Sequence, residues 1–164
     1  MFFRFCSWLA HIPVVIELHE SEVVFPIIQV VHVVGLVLMV GTVVLVDLRL
    51  LGVLLPQVPA QDICGPLLKI SWIGFTVLAL SGLLLFAAQA ESMYGNTFFR
   101  VKFLLLGISA LNVAVFHATT YRRVGEWGAA PTPPRHAKFA AGFSLAVWIG
   151  VLSASHFIPY SGGL

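Results

Sequence analysis

Residues 23–55 read VVFPIIQVVHVVGLVLMVGTVVLVDLRLLGVLL, a nearly unbroken apolar run with one histidine, His32, well inside it. About 20 largely apolar residues in a helix cross the core of a bilayer, so this run alone directs the chain toward a membrane fold. An ionisable ring in hydrocarbon is costly and persists where something binds it or pairs with it. His32 is therefore the first candidate for function.

Three further stretches have the same character, and together they predict spans at about 24–54, 67–90, 97–121 and 139–160. Turn-rich links separate them: PQVPAQDICGP, ESMYGN and RRVGEWGAAPTPPRHAK. Composition agrees. Of 164 residues, 59% are hydrophobic and 10% charged, where a soluble domain carries roughly a quarter charged residues. Lipid must be the solvent, and the expected fold is all-α: one integral membrane four-helix bundle over residues 1–164. A net charge of +2 with no basic stripe and no Gly-rich phosphate loop gives nucleic acid no place among the partners. Residues 2–18 are expected to form a short helix lying in the interface, anchored by Phe2, Phe3, Phe5 and Trp8. Their apolar stretch is interrupted by His11 and Pro13 and leads to no small-residue cleavage site, so a signal peptide is not expected.

Lys and Arg favour the cytoplasmic side. The third link holds Arg122, Arg123, Arg135 and Lys138, and Arg49 and Lys69 flank the first link on the same side. Arg4, Arg100 and Lys102 stand opposite. This balance predicts both termini on the outer side of the membrane. It also puts Cys6 and Cys64 on opposite sides, which argues against a disulfide between them, and their spacing is not that of a metal site.

Inside lipid, polar and small residues mark helix contacts. Gln29, His32, Gly35, Met39, Thr42, Val46 and Arg49 share one face of the first span, and Lys102, Leu105, Ser109, Asn112, Phe116 and Thr119 share one of the third. Both faces should look into the bundle. On the fourth span Gly142, Ala146, Gly150 and Ala154 recur every four residues, and another backbone is expected to pack closely along that row.

Depth groups the candidates. At about 1.5 Å rise per residue, His32 lies about 9 Å below Pro26, Lys102 about 7 Å below Thr97 and His156 about 6 Å below Tyr160. All three fall in one outer-leaflet layer. Asp47, Arg49, Ser71, His117, Arg122 and Arg123 form a second layer near the inner face. Two histidines from different helices at equal depth suit a b-type haem. The nominated iron ligands are His32 and His156, with Lys102 and Arg100 for the propionates and Gly35 admitting the flat ring. His156 is turned about 200° from Ala154, so its facing depends on what the small-residue row packs against. Pairs of His32 with Lys102 or with His19 stay open. Equally, His32 can be a neutral core histidine bonded to Gln89, Ser109 or Asn112. No Ser-His-Asp set, paired intramembrane carboxylates or HExxH motif occurs, so no catalytic residues are expected.

HVVGLVLMVGTVVLVDLRLLG and SGLLLFAAQAESMYGNTFFRVKFLLLGISALNVAVFH, within about residues 25–123, carry a resemblance. A late Gly in one span, a Tyr-Gly link and a Lys in the next resemble the membrane domain of copper-resistance protein D and the HemJ type of protoporphyrinogen oxidase. The His to Asp-Leu-Arg-Leu-Leu-Gly run is also similar to that of an uncharacterised bacterial family of small four-span proteins. The HemJ resemblance implies haem b and roles for His32 and Lys102; the rest of that enzyme's pattern is not evident, and its activity is not carried across. The copper resemblance implies copper handling, yet the chain has three Met and no Met- or His-rich outer segment to supply soft ligands.

The leading expectation is a cytochrome b-like subunit of a membrane complex. It would bind haem near the outer leaflet and pass electrons to a quinone or a periplasmic protein partner. The alternatives are a structural or assembly subunit of a larger complex, and copper or proton movement using Asp47 and His117.

Overall fold

The structure is a computed structural model, and it describes residues 7–9, 11–90, 93, 95–128 and 132–160. Phe2, Phe3, Phe5, Arg4 and Cys6 lie outside the described residues. Among the described residues, four helices are long and apolar enough to cross a membrane. They are α2 (Val24–Leu51), α3 (Ala60–Ala88), α4 (Thr97–Thr119) and α6 (Arg135–Phe157). A short α1 (Pro13–Glu20) precedes them, and a 3-10 turn (Tyr121–Arg123) with the single turn α5 (Val124–Trp127) joins α4 to α6. The described residues contain no strand. The all-α four-helix membrane bundle expected from sequence is the fold observed.

Local chemistry sets the helix ends. Gly52 closes α2 in the left-handed region at φ 81°, which a residue without Cβ adopts freely. Asn96 caps α4 by accepting from the Phe99 N–H, and its amide donates to the Ile158 carbonyl at the far end of α6. One side chain thus ties the start of α4 to the end of α6. The second span begins earlier than residue 67. Pro59, whose fixed φ suits a helix start, is the N-cap of α3, and Pro66 lies inside that helix. Residues that look like a turn-rich link are its first two turns.

Packing runs through two hairpins, α2 with α3 and α4 with α6, which meet where α2 contacts α6. The tightest seam is between α2 and α3. A Cβ at Gly35 would stand 2.8 Å from the Leu78 backbone nitrogen, and one at Gly74 would stand 2.6 Å from that of Met39. Each glycine receives the other helix's backbone, the device membrane helices use when small residues let backbones approach. Gly35 is filled by α3 and offers no space for a porphyrin ring, contrary to the role expected for it.

The small-residue row on α6 is a second correction. Open space surrounds a Cβ built at Gly142, Ala146 is exposed, and Gly150 meets only the Leu105 side chain. Of that row Ala154 alone is buried; the buried face of α6 is Ala137, Ala141, Ser144, Val147, Trp148, Val151 and Ala154, whose steps mix three and four. The reason is geometric: a step of four residues overshoots one 3.6-residue turn by about 40°, so three such steps swing the row about 120° off any straight seam.

The core is divided in two. Val46, Leu50, Ala60, Cys64, Ala137 and Ala141 pack together at the end that carries the interhelical links 52–59 and 120–134. Met39, Val147, Trp148 and Val151 form a second cluster toward the middle. The apolar side chains turned outward from all four helices are those that lipid would cover.

Candidate functional site

At the end opposite those links, His32 projects from α2 toward α3. Its Nδ1 lies 3.0 Å from the Ser81 hydroxyl. That hydroxyl has one proton, and it donates it to the Val77 carbonyl at 2.6 Å. Ser81 is therefore an acceptor toward the ring. With the hydroxyl so engaged, the tautomer that completes the network carries its hydrogen on Nδ1 and leaves Nε2 its lone pair. The Leu78 backbone also lies within hydrogen-bonding reach of the imidazole. Gly82 completes the seat, since a Cβ there would be 3.0 Å from His32 Cε1. A histidine held by its Nδ1–H, with Nε2 left as a Lewis base, is the usual orientation of a metal-binding imidazole.

Lys102 of α4 is half-buried and near enough for its ammonium to act electrostatically on the His32 ring. The layer expected from depth thus contains His32 and Lys102 together. The other two nominated residues stand elsewhere. His156 is exposed on α6, its ring 5.6 Å from that of Tyr160 and 5.7 Å from that of Phe157. Arg100 is exposed near the start of α4. His19 is exposed beside Phe25, its ring 5.5 Å away and edge-on. None of these is brought onto His32.

The partners anticipated for a structural His32 also differ. Ser81, not Gln89, Ser109 or Asn112, bonds the ring; Asn112 donates to the Ala140 carbonyl. Of the aromatic side chains, Phe86 stacks on Phe99, which also meets Phe103, at the His32 end. Phe116 belongs to the opposite end, beside His117 and Tyr121. Ser81 and Gly82 are the site residues that sequence reasoning passed over. The signal for them was a Ser-Gly pair about as far from the end of its helix as His32 is from the start of its own, as antiparallel neighbours require.

The opposite layer has a different character. Arg49 is 0% exposed and Asp47 6%. Arg49 Nε and Nη2 both donate to the Val58 carbonyl, pinning the link that follows α2. Ser144 hydrogen-bonds Asp47. Asp47 Oδ2 and Arg49 Nη1 have no protein partner. Both charges act on the buried Cys64 thiol, so the three form one neighbourhood. His117 bonds the Val113 carbonyl one turn back and packs on Tyr121, a local structural role. Among the described residues no group of three or more His, Cys, Asp or Glu is arranged to hold a metal ion.

A family model described as a family of unknown function, DUF6644, matches residues 15–161. The chain belongs to the DUF6644 family. No curated protein and no solved structure matches it. The family match takes in most of α1 and all four long helices, so both polar layers lie within the family's domain.

Proposed function

We propose that this DUF6644 protein is a cytochrome b-like membrane subunit that holds haem b near one membrane surface through His32. One observation carries the reading: the Ser81 tether suits an Nδ1–H that leaves Nε2 basic, and Lys102 acts electrostatically on the same ring. An axial imidazole needs that tautomer, and outer hydrogen bonds of this kind orient the ring and raise its basicity. Lys102 is the near cation for a propionate or an opposite ligand, and Arg100 is the more exposed one at the same end.

Bound haem would supply one-electron chemistry. The protein's part is to orient the imidazole through Ser81 and Leu78, to make room for it at Gly82, and to offer a cation at Lys102. His156, exposed beside Tyr160, is the weaker half of the nominated pair. The reading carries His32 as the ligand and tests His156 separately. The electron partner would be a quinone or a protein docking on the outer side of a bacterial inner membrane, with both termini on that side.

The test is an absorption spectrum of detergent-purified protein after haem-replete expression. A Soret band that disappears in His32→Ala supports the reading, and a wild-type protein without one overturns it. Loss of a low-spin spectrum in His156→Ala would make His156 the second ligand. An unchanged spectrum would remove it.

A second reading, proton movement, is favoured by the buried Asp47 carboxylate with its free Oδ2. Intramembrane carboxylates of this kind mark proton pathways. Pyranine-loaded liposomes decide it: no difference in proton flux between wild type and Asp47→Asn would eliminate this reading.

A further inference from the structure

Between α4 and α6, at the end that carries the links, an open groove of about 510 Å³ runs along the outside of the bundle. Its volume falls within the roughly 300–1,000 Å³ of small-molecule sites. Val115, Phe116, Phe139 and Ala140 give it apolar walls, and Arg135 and His136 line it where α6 begins. The Asn112 amide bonds the Ala140 carbonyl across the two helices, which holds the walls at a fixed separation. Phe139 is 77% exposed and stacks with Phe143 one turn further along α6, so an apolar aromatic strip runs from the groove along the lipid-facing surface.

Charge at this end is one-sided. Arg122 and Arg123 lie exposed where α4 gives way to the 3-10 turn, and Lys138 follows Arg135 by one helical turn. The acidic residues on the neighbouring surface are Asp62 and Glu126. No side chain caps α6, so the positive end of its dipole adds to the same field. A groove that is apolar along the span and cationic at the membrane surface matches a molecule with a hydrocarbon chain and an anionic head.

We propose that this groove is a binding site for an anionic phospholipid of the adjoining leaflet. One acyl chain lies against Val115, Phe116 and Phe139, and the headgroup phosphate pairs with Arg135, with His136 beside it. Basic pockets between transmembrane helices bind such headgroups, each Lys or Arg near the surface contributing about 1 kcal/mol. The site is separate from His32, which lies at the other end of the bundle, and does not depend on haem.

Native mass spectrometry of the full chain, released from detergent after incubation with palmitoyl-oleoyl phosphatidylglycerol or the matching phosphatidylcholine, tests the assignment. The phosphatidylglycerol adduct should survive and the phosphatidylcholine adduct should not. Arg135→Gln should weaken phosphatidylglycerol binding about fivefold, the fold-change that corresponds to the loss of one such charge. Thr119→Trp, which fills the groove from α4 and leaves every charge in place, should abolish the adduct. Both positions are solvent- or lipid-facing, and monodisperse elution with unchanged helical circular dichroism verifies the fold of each variant. Equal retention of the two lipids, or an undiminished adduct in either variant, overturns the proposal. Displacement of the lipid by equimolar glycerol phosphate also overturns it, because the site would then take a free phosphate without the chain.

Discussion

The two polar layers of this bundle are built on opposite principles. At the His32 end a single ring is half-buried, bonded through Nδ1 to a hydroxyl and packed against a glycine. At the Asp47–Arg49 end two ionisable side chains are almost completely enclosed, and the larger core cluster packs around them. A buried guanidinium that holds a link by its carbonyl is a fastening, and exchanging it breaks the fold. A tethered imidazole with a spare lone pair would serve as a ligand under the proposed haem reading, and exchanging it should leave the fold standing. On the proposed reading, the difference separates stability from function along the membrane normal.

Arg49→Met should show the largest effect. It deletes both donors to the Val58 carbonyl. Hydrogen bonds to a charged group contribute about 1.5–3 kcal/mol each. Thermal unfolding in detergent, followed by circular dichroism, should show a clear fall in Tm, and protease should cut the 52–59 link sooner. A variant as stable as wild type would invert the comparison and make the Asp47–Arg49 layer the functional one.

Next comes the seam that joins the layers. Gly74→Ala places a methyl 2.6 Å from the Met39 nitrogen. Backbone cannot yield as a flexible side chain does, so overpacking should cost about 2 kcal/mol. Gly142→Ala, which meets open space, should change Tm by no more than a degree or two on the same instrument (about 0.5 kcal/mol or less). Equal losses for the two would mean that the row on α6 is covered by another chain.

That contrast also marks how far the sequence could be read. The inward faces of α2 and α4 were legible because polar residues are sparse in these helices. Gly35, Met39, Thr42, Val46 and Arg49 are buried as their spacing implied, as is Ser109 on α4. Fading at the ends is visible too, since Gln29 and Thr119 are exposed. The α3 face was not legible. Ser71, Thr76 and Ser81 are all hydroxyls in an apolar helix, and only rotation against α2 decides that Ser81 meets His32 and Thr76 faces outward. The Gly35–Gly74 seam was hidden for a related reason: the two glycines are on different helices, and one-helix periodicity cannot pair them. On α6 a regular spacing of four suggested a seam, whereas the packed face follows mixed steps of three and four and takes in only Ala154 of that row.

His32→Gln should leave the bundle almost untouched, with a loss of about 1 kcal/mol from the Ser81 hydrogen bond. Its effect should be confined to the cofactor readout, with the Soret band gone at nearly wild-type Tm. A Tm loss as large as that of Arg49→Met would show His32 to be a structural fastening like its counterpart, and the functional division between the layers would fail.

The smallest stability effect should come from Ser81→Ala, and it separates the two meanings of the tether most finely. The deletion removes one neutral hydrogen bond to the ring, and the loss stays near 0.5 kcal/mol, the low end for such a bond. Buried polar packing alone would end there. An oriented ligand predicts more, because losing an outer hydrogen bond on a metal-bound imidazole lowers affinity by about 10–100-fold. Titration of haem into the apoprotein should then show at least a tenfold weaker Kd for Ser81→Ala beside a nearly unchanged Tm. If haem binds and its Kd does not move, the hydroxyl serves only to satisfy a buried nitrogen, and the tautomer argument for His32 loses its support.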